Sequence, residues 1–296
     1  LIKRNDSKIK IHSYDFDINE EIENIKSISY DGKLSLIKAV IKLMNPKFGF
    51  DIYIQCDVPP GTGLGSSAAV AAVIENLLNY LKEEKLDDYQ LSEIIYKAER
   101  DELKIAGGWQ DQYATVFGGF NFMEFNKDEI IVHPLRISED IINELNNNLF
   151  LCYTGKTRSS GKIQSSLAKK QDNIKSKNNE NIFEALSRLK EITIKMRSAL
   201  LKGKMKDFGN MLHESWENKK RLDSRISDGF IDELYDIGIK NGALGGKILG
   251  AGGGGYLLFF CSPLKKKKVT EKLVEYGGEI IDFNFDMKGL TSWSVK

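Results

Sequence analysis

The sequence predicts an α+β protein of two domains. Three observations support this. Period-two apolar stretches and amphipathic helical stretches are interspersed without the strict alternation of a doubly wound parallel sheet. Glycine-rich turns near residues 60 and 250 each feed a regular element. A polar, asparagine-rich stretch over 126–148 separates the two halves, which places a boundary near 148 and domains at 1–148 and 149–296.

In chain order, KIKIHSYDF and FGFDIYIQCDV read as strands. In the second, Phe50, Ile52, Ile54 and Cys56 alternate with Asp51, Tyr53, Gln55 and Asp57, as in a half-buried strand. Between them Leu34 to Met44 reads as a helix, with Leu36, Ile37, Val40, Ile41 and Leu43 largely on one face and Asn45-Pro46 as its stop. After the first glycine turn, Ser66 to Leu81 is an alanine-rich helical stretch, and a further helix opens at Asp87 or Asp88 and runs to about Leu103. GGFNFMEF is then a strand, and NNLFLCYTG begins another. Helices over Ile182 to Lys202, Phe208 to Asp223 and Phe230 to Asn241 lead to a glycine-rich turn and the strand YLLFFC. Residues 169–181 read as a mobile loop, and Lys265 to Lys268 as a solvated face.

Several function classes are excluded by composition. The chain has 296 residues, 41% hydrophobic and 29% charged, with a formal net charge of +1. That suits a globular core and gives no electrostatic reason to bind nucleic acid. No apolar run approaches the roughly 18 residues of a membrane span, and no signal-peptide pattern opens the sequence, so the expected location is the cytoplasm. Cys56, Cys152 and Cys261 lie in separate apolar runs and read as reduced thiols in strand cores. His12, His133 and His213 are isolated, without a second ligand at metal spacing.

The most informative run is PPGTGLGSSAAVAAVIENLL, residues 59–78. Gly61, Gly63 and Gly65 let successive N–H groups turn toward one point, and the helix from Ser66 adds its positive end, which makes an anion site sized for phosphates. No lysine follows the last glycine, so it is not a Walker loop, and the third glycine comes too early for G-x-G-x-x-G. A serine-capped turn ahead of a buried helix is the plainer alternative. Glu99, four residues after Ile95, borders the apolar face of its helix and calls for a positive partner, either a nearby Lys or Arg or a metal. Asp111 stands in Gly107-Gly108-Trp109-Gln110-Asp111-Gln112, where a helix cap or turn residue is the plainer alternative.

Pro60 together with Gly63 to Ala68 resembles the second signature of the GHMP kinases, the family of galactokinase and the homoserine, mevalonate and phosphomevalonate kinases. KILGAGGGGYLLFF, residues 247–260, is similar to the third GHMP signature. The resemblance implies a ribosomal-S5-like N-terminal domain, a ferredoxin-like C-terminal domain, ATP and Mg²⁺. It implies that Pro60, Gly61, Gly63, Leu64, Gly65, Ser66, Ser67, Ala68, Gly252 and Gly253 hold the nucleotide, that Ser67 and Glu99 ligate magnesium, and that Asp111 is the catalytic carboxylate. Gln112 completes the family's Asp-Gln pair on the substrate side.

Within the family, Gly-Gly-Trp-Gln-Asp-Gln-Tyr-Ala and YTGKTRSSGKI (153–163) look most like the D-glycero-D-manno-heptose 7-phosphate 1-kinases. The second segment offers Thr154, Gly155, Lys156 and Arg158, with Ser159 and Ser160, as a cation and hydroxyl cluster suited to a sugar phosphate; a basic surface loop is the alternative. The implied reaction phosphorylates an anomeric hydroxyl, giving the 1,7-bisphosphate. Another GHMP kinase, galactokinase-like or mevalonate kinase-like, and a non-catalytic protein on the same fold are the competing readings. Family members also carry a preceding strand and a glycine-rich first signature, and this sequence begins after the place where those would stand.

Overall fold

The structure, a computed structural model, describes residues 1–59, 61–157, 161, 163–166 and 180–295. The chain divides into two compact units, neither of them continuous in sequence.

The first unit comprises Leu1–Pro60, Gly65–Val132 and Asp286–Lys296. Strands β1 (Ile2–Lys3), β2 (Ile9–Ser13), β3 (Ile18–Ile22) and β4 (Phe50–Ile54) form one sheet in the order β1-β4-β2-β3. β2 and β4 are parallel, with Ile11 opposite Ile52, and the other pairs are antiparallel. A parallel pair needs a crossover, which here contains helix α1 (Ser35–Met44). Ile37, Val40 and Ile41 of α1 join Ile9, Ile11, Phe50 and Ile52 in the core, and Asn45 ends the helix in the left-handed conformation.

Helix α2 (Ser66–Tyr80) buries the small residues Ala68, Ala71 and Ala72, which allow close helix packing. Helix α3 (Asp88–Lys97) is opened by a capping box in which Asp87 accepts from the Gln90 amide and Gln90 accepts from the Asp87 amide. It runs on as a π-helical turn over Ala98–Glu102 and is followed by α4 (Gln110–Phe117). A two-stranded ladder, β5 (Asn121–Phe125) with β6 (Ile130–Pro134), follows. Residues 286–290 return to this unit. The Asp286 carbonyl accepts from Gly119 at 2.7 Å, and Leu290 donates to the Val116 carbonyl at 3.1 Å.

The second unit comprises Gly61–Leu64 and His133–Phe285. It contains α5 (Glu139–Asn148), β7 (Leu149–Tyr153), α6 (Glu180–Leu201), α7 (Met205–Lys220) and α8 (Gly229–Asn241). After these come β8 (Ala243–Ile248), β9 (Tyr256–Cys261), α9 (Pro263–Glu275) and β10 (Glu279–Ile281). The sheet order β10-β7-β9-β8, antiparallel throughout, is the split βαβ arrangement of a ferredoxin-like domain. Phe150, Cys152, Trp216, Tyr235, Leu257 and Phe259 fill its core. Gly209 and Gly238 let α7 and α8 approach the sheet, since a Cβ at either would overlap the ring of Phe260 or Phe259.

Four expectations need correction or placing. The stretch 126–148 contains β6 and α5, and Leu145 of α5 is buried. Position 148 therefore lies at the end of a helix within the second unit, whereas the units divide between Val132 and His133. Cys152 and Cys261 are buried strand residues, but Cys56 lies beyond the end of β4, half-buried, with its Sγ 3.2 Å from the Val58 carbonyl. Of the expected loop at 169–181, residues 169–179 lie outside the described residues, and Glu180 opens α6. Lys266, within the basic run, folds back to donate to the carbonyls of Asn147 and Leu149.

Candidate active site

The glycine turn is shared between the units, and the chain crosses from second to first at the Leu64–Gly65 bond. In the first unit, Gly65 takes φ 71°, a left-handed value that glycine reaches without strain, and caps α2. Among the described residues, no backbone carbonyl accepts from the amides of Gly65, Ser66 or Ser67 at the positive end of α2.

Ser67 and Glu99 meet here. Ser67 Oγ donates to Glu99 Oε1 at 3.1 Å, and Glu99 is only 5% exposed. The π-turn has a local cause and a local consequence: its wider helical step seats Glu99 toward α2 while Arg100 points along the following loop. Arg100 donates to the carbonyls of Ile105 and Gly108 at 3.1 and 3.0 Å, and its Nη2 lies 3.4 Å from Glu99 Oε2. Trp109 stacks on Tyr96, with centroids 3.3 Å apart. These contacts fix the loop that delivers Asp111 to the first turn of α4.

Asp111 packs against the glycine turn. A Cβ built on Gly65 would stand 3.7 Å from both Cβ and Cγ of Asp111. Asp111 remains open to solvent on its outer edge, yet the protein crowded about its carboxyl raises the pKa, with Arg100 drawing it partly back. A carboxylate shifted upward is a better proton acceptor near neutral pH.

Gln112, expected on the substrate side, meets Glu99. It is buried, and its Nε2 donates to Glu99 Oε2, while its Oε1 has no partner. It therefore orients the carboxylate of Glu99. The Ser67 and Glu99 oxygens suit a hard divalent cation: their 3.1 Å separation is close to the roughly 2.9 Å between adjacent ligands of an octahedral magnesium site.

In the second unit, Gly61–Leu64 packs on the Leu249–Gly255 segment. A Cβ on Gly63 would lie 2.9 Å from the Leu249 carbonyl, one on Gly250 would lie 2.8 Å from Gly63 Cα, and one on Gly255 would overlap the Thr62 carbonyl. Gly63, Gly250 and Gly255 are thus required by backbone-to-backbone contact. The Gly253 amide donates to the Ile226 carbonyl at 2.8 Å and a Cβ on Gly252 would crowd the same residue, so both glycines are set by close packing on Ile226. Thr154, expected on the substrate side, is buried and donates to the Gly255 carbonyl at 3.0 Å. Gly155, at φ 68°, turns the chain after β7, and Lys156 forms an ion pair with Asp228 at 2.9 Å over the ring of Phe230. Pro60, Arg158, Ser159 and Ser160 lie outside the described residues.

Comparison with known proteins agrees with this construction. The model for the GHMP kinases N terminal domain matches residues 35–119, and that for the GHMP kinases C terminal matches residues 196–279. The D-glycero-alpha-D-manno-heptose 7-phosphate kinase of Campylobacter jejuni is 37% identical over 302 residues, covering 100% of this chain and 87% of that protein. This chain is a GHMP kinase. Among solved structures, the kinase resembles a D-glycero-D-manno-heptose 1-phosphate kinase from Bacteriodes thetaiotaomicron, with TM-score 0.78, 30% identity, and 99% and 85% of the two chains covered. It is also similar to a putative sugar kinase from Campylobacter jejuni, with TM-score 0.75, 32% identity, and 99% and 84% covered.

Sequence reasoning missed the loop anchors of this kinase. Arg100 stands beside Glu99, but nothing in the spacing announces that its guanidinium spans to Ile105 and Gly108. The Tyr96 and Trp109 pair, thirteen residues apart across a loop, gives no periodic signal.

Proposed function

We propose that this kinase transfers the γ-phosphoryl group of ATP to the anomeric hydroxyl of a sugar phosphate, with D-glycero-D-manno-heptose 7-phosphate as acceptor and the 1,7-bisphosphate as product. The observation that carries the reading is the contact between Asp111 and Gly65, which sets a carboxylate of raised pKa against the turn where phosphates are expected. The whole-chain likeness to the Campylobacter jejuni kinase supports the choice of acceptor.

In this mechanism the amides of Gly61, Gly63, Leu64, Gly65, Ser66 and Ser67 and the start of α2 take the phosphates. Asp111 accepts the proton of the attacking hydroxyl, and Arg100 and the Tyr96–Trp109 stack hold it in place. Magnesium, bound by Ser67 and Glu99 with phosphate oxygens and water, would neutralise charge on the transferred group. Gln112 keeps Glu99 aimed. Lys156 and Arg158 are assigned to the phosphate already on the sugar; Lys156 would exchange Asp228 for it. The cytoplasm is the proposed location, and among the described residues no helix is long and apolar enough to cross a membrane.

A coupled ADP-release assay over a panel of sugars and sugar phosphates tests the assignment. Turnover confined to heptose 7-phosphate is the expected result. Turnover of galactose or mevalonate with none of the phosphorylated heptose would overturn it.

A further inference from the structure

Among the described residues, Lys219 and Lys247 of the second unit form no ion pair with an acidic side chain. Lys219, in the last turn of α7, donates its ammonium to the carbonyls of Ile248 at 3.1 Å and Gly250 at 2.6 Å. Gly250 is the residue that abuts Gly63, so this ammonium sits one residue behind the glycine turn. Lys247 is on β8, two residues after Gly245 and on the same face of the strand. That face looks onto α7, because a Cβ on Gly245 would meet the Gly209 carbonyl and the His213 amide. Both lysines are half-buried between strand and helix.

The acidic side chains of the surrounding elements are engaged elsewhere. Arg188 of α6 holds Glu214, Lys220 approaches both Glu217 and Asp232, Arg225 holds Asp223, and Lys156 holds Asp228. The neighbouring titratable groups His213 and Tyr235 bond to each other. Among the described residues no carboxylate forms an ion pair with Lys219 or Lys247. Two like charges withdrawn from water without a counter-ion are unfavourable, and the arrangement is relieved by an anion accepting from both.

We propose that Lys219 and Lys247 form a phosphoryl-binding subsite behind the glycine turn, which takes a phosphate group of the nucleotide or of the phosphorylated acceptor. The subsite deepens the kinase reading and rests on it only for the source of the phosphate. Burial and the nearness of Lys247 push the Lys219 ammonium down to about 7, and burial also lowers Lys247. An incoming dianion reverses that effect, so binding above neutral pH draws a proton onto the protein.

The test is calorimetric titration of the full chain with inorganic phosphate at pH 8, in two buffers of different ionisation enthalpy. Wild type should bind with uptake of about half a proton or more. K247M should weaken binding at least tenfold and reduce the uptake, while K247R should stay within about threefold of wild type. Titrations with a non-hydrolysable ATP analogue and with a hexose phosphate assign the source: the ligand that K247M weakens is the one whose phosphate occupies the site. Phosphate binding by wild type without proton uptake would overturn the proposal even if K247M did not fold. K247M binding every probe as wild type does would also overturn it. Should no sugar support ADP release while phosphate binding still depends on Lys247, the kinase reading falls and the subsite stands. Should K247M bind normally while wild type turns over, the subsite falls alone.

Discussion

Replacing Glu75 with leucine should stabilise the first unit, by an amount that depends on pH. Glu75 lies on α2, fully buried, and neither carboxyl oxygen has a hydrogen-bond partner. Burial raises its pKa from 4.5 to about 9, opposed only weakly by Lys82. The folded form therefore keeps the proton while the unfolded chain releases it above 4.5. Stability attributable to this group is complete below that value and declines as pH rises toward 9. At about 1.4 kcal/mol per pH unit, the folded state at pH 7 has lost about 3 kcal/mol relative to acid conditions. Glu75→Leu removes this dependence and adds an apolar side chain among Ala71, Ala72 and Leu78. Glu75→Gln removes the titration while keeping shape and polarity.

Urea unfolding followed by circular dichroism at pH 5, 6, 7 and 8 measures the effect. Relative to wild type, E75L should gain stability progressively across the series, reaching about 2–4 kcal/mol at pH 7. E75Q should show the same loss of slope with a smaller gain. A wild-type stability as flat with pH as that of E75Q, or an E75L protein less stable than wild type at pH 8, would refute the reasoning.

Asp111→Asn should lower kcat by about 10²- to 10⁴-fold with the dissociation constant for ATP unchanged, read from ADP release and nucleotide titration. Because the active base is the ionised form and its pKa lies above the ordinary carboxylate value, wild-type kcat/KM should rise with pH on the acid limb and level off once Asp111 is deprotonated. Gly63→Ala combines a backbone at φ 80° with a Cβ 2.9 Å from the Leu249 carbonyl; it should cost about 1–3 kcal/mol and weaken nucleotide binding in a direct titration. Glu99→Gln should shift the magnesium concentration for half-maximal rate upward by tenfold or more, measured at fixed ATP.

Much of this was legible in the sequence because it is local. The alternation of Phe50, Ile52 and Ile54, the stripe of α1, and the helical period of α2 and α7 each arise from residues a few positions apart. The glycine turn ahead of α2 was legible for the same reason, since the left-handed backbone at Gly63 and Gly65 and the helix start that follows belong to one short run. Long-range matters were hidden. The resemblance joins Ser67 to Glu99, but nothing in the numbers 99 and 112 says that Gln112 meets the same carboxylate, and the π-turn that carries Glu99 has no composition of its own. The helical character of 139–148 was masked by its asparagines, although Ile141, Ile142 and Leu145 carry the period. The packing of Gly252 and Gly253 on Ile226 was also hidden, because a glycine crowded by a neighbouring residue looks in sequence like one approached by a ligand.

The strip from Asp286 to Leu290 has a bearing on how this protein matures. Its carbonyl and amide close the backbone around Val116 and Gly119, immediately after the helix that bears Asp111, and Gly118 and Gly289 approach so tightly that neither tolerates a side chain. A ribosome that has delivered residues 1–285 has not yet supplied those partners. The first unit therefore gains these backbone partners only after the second has been translated.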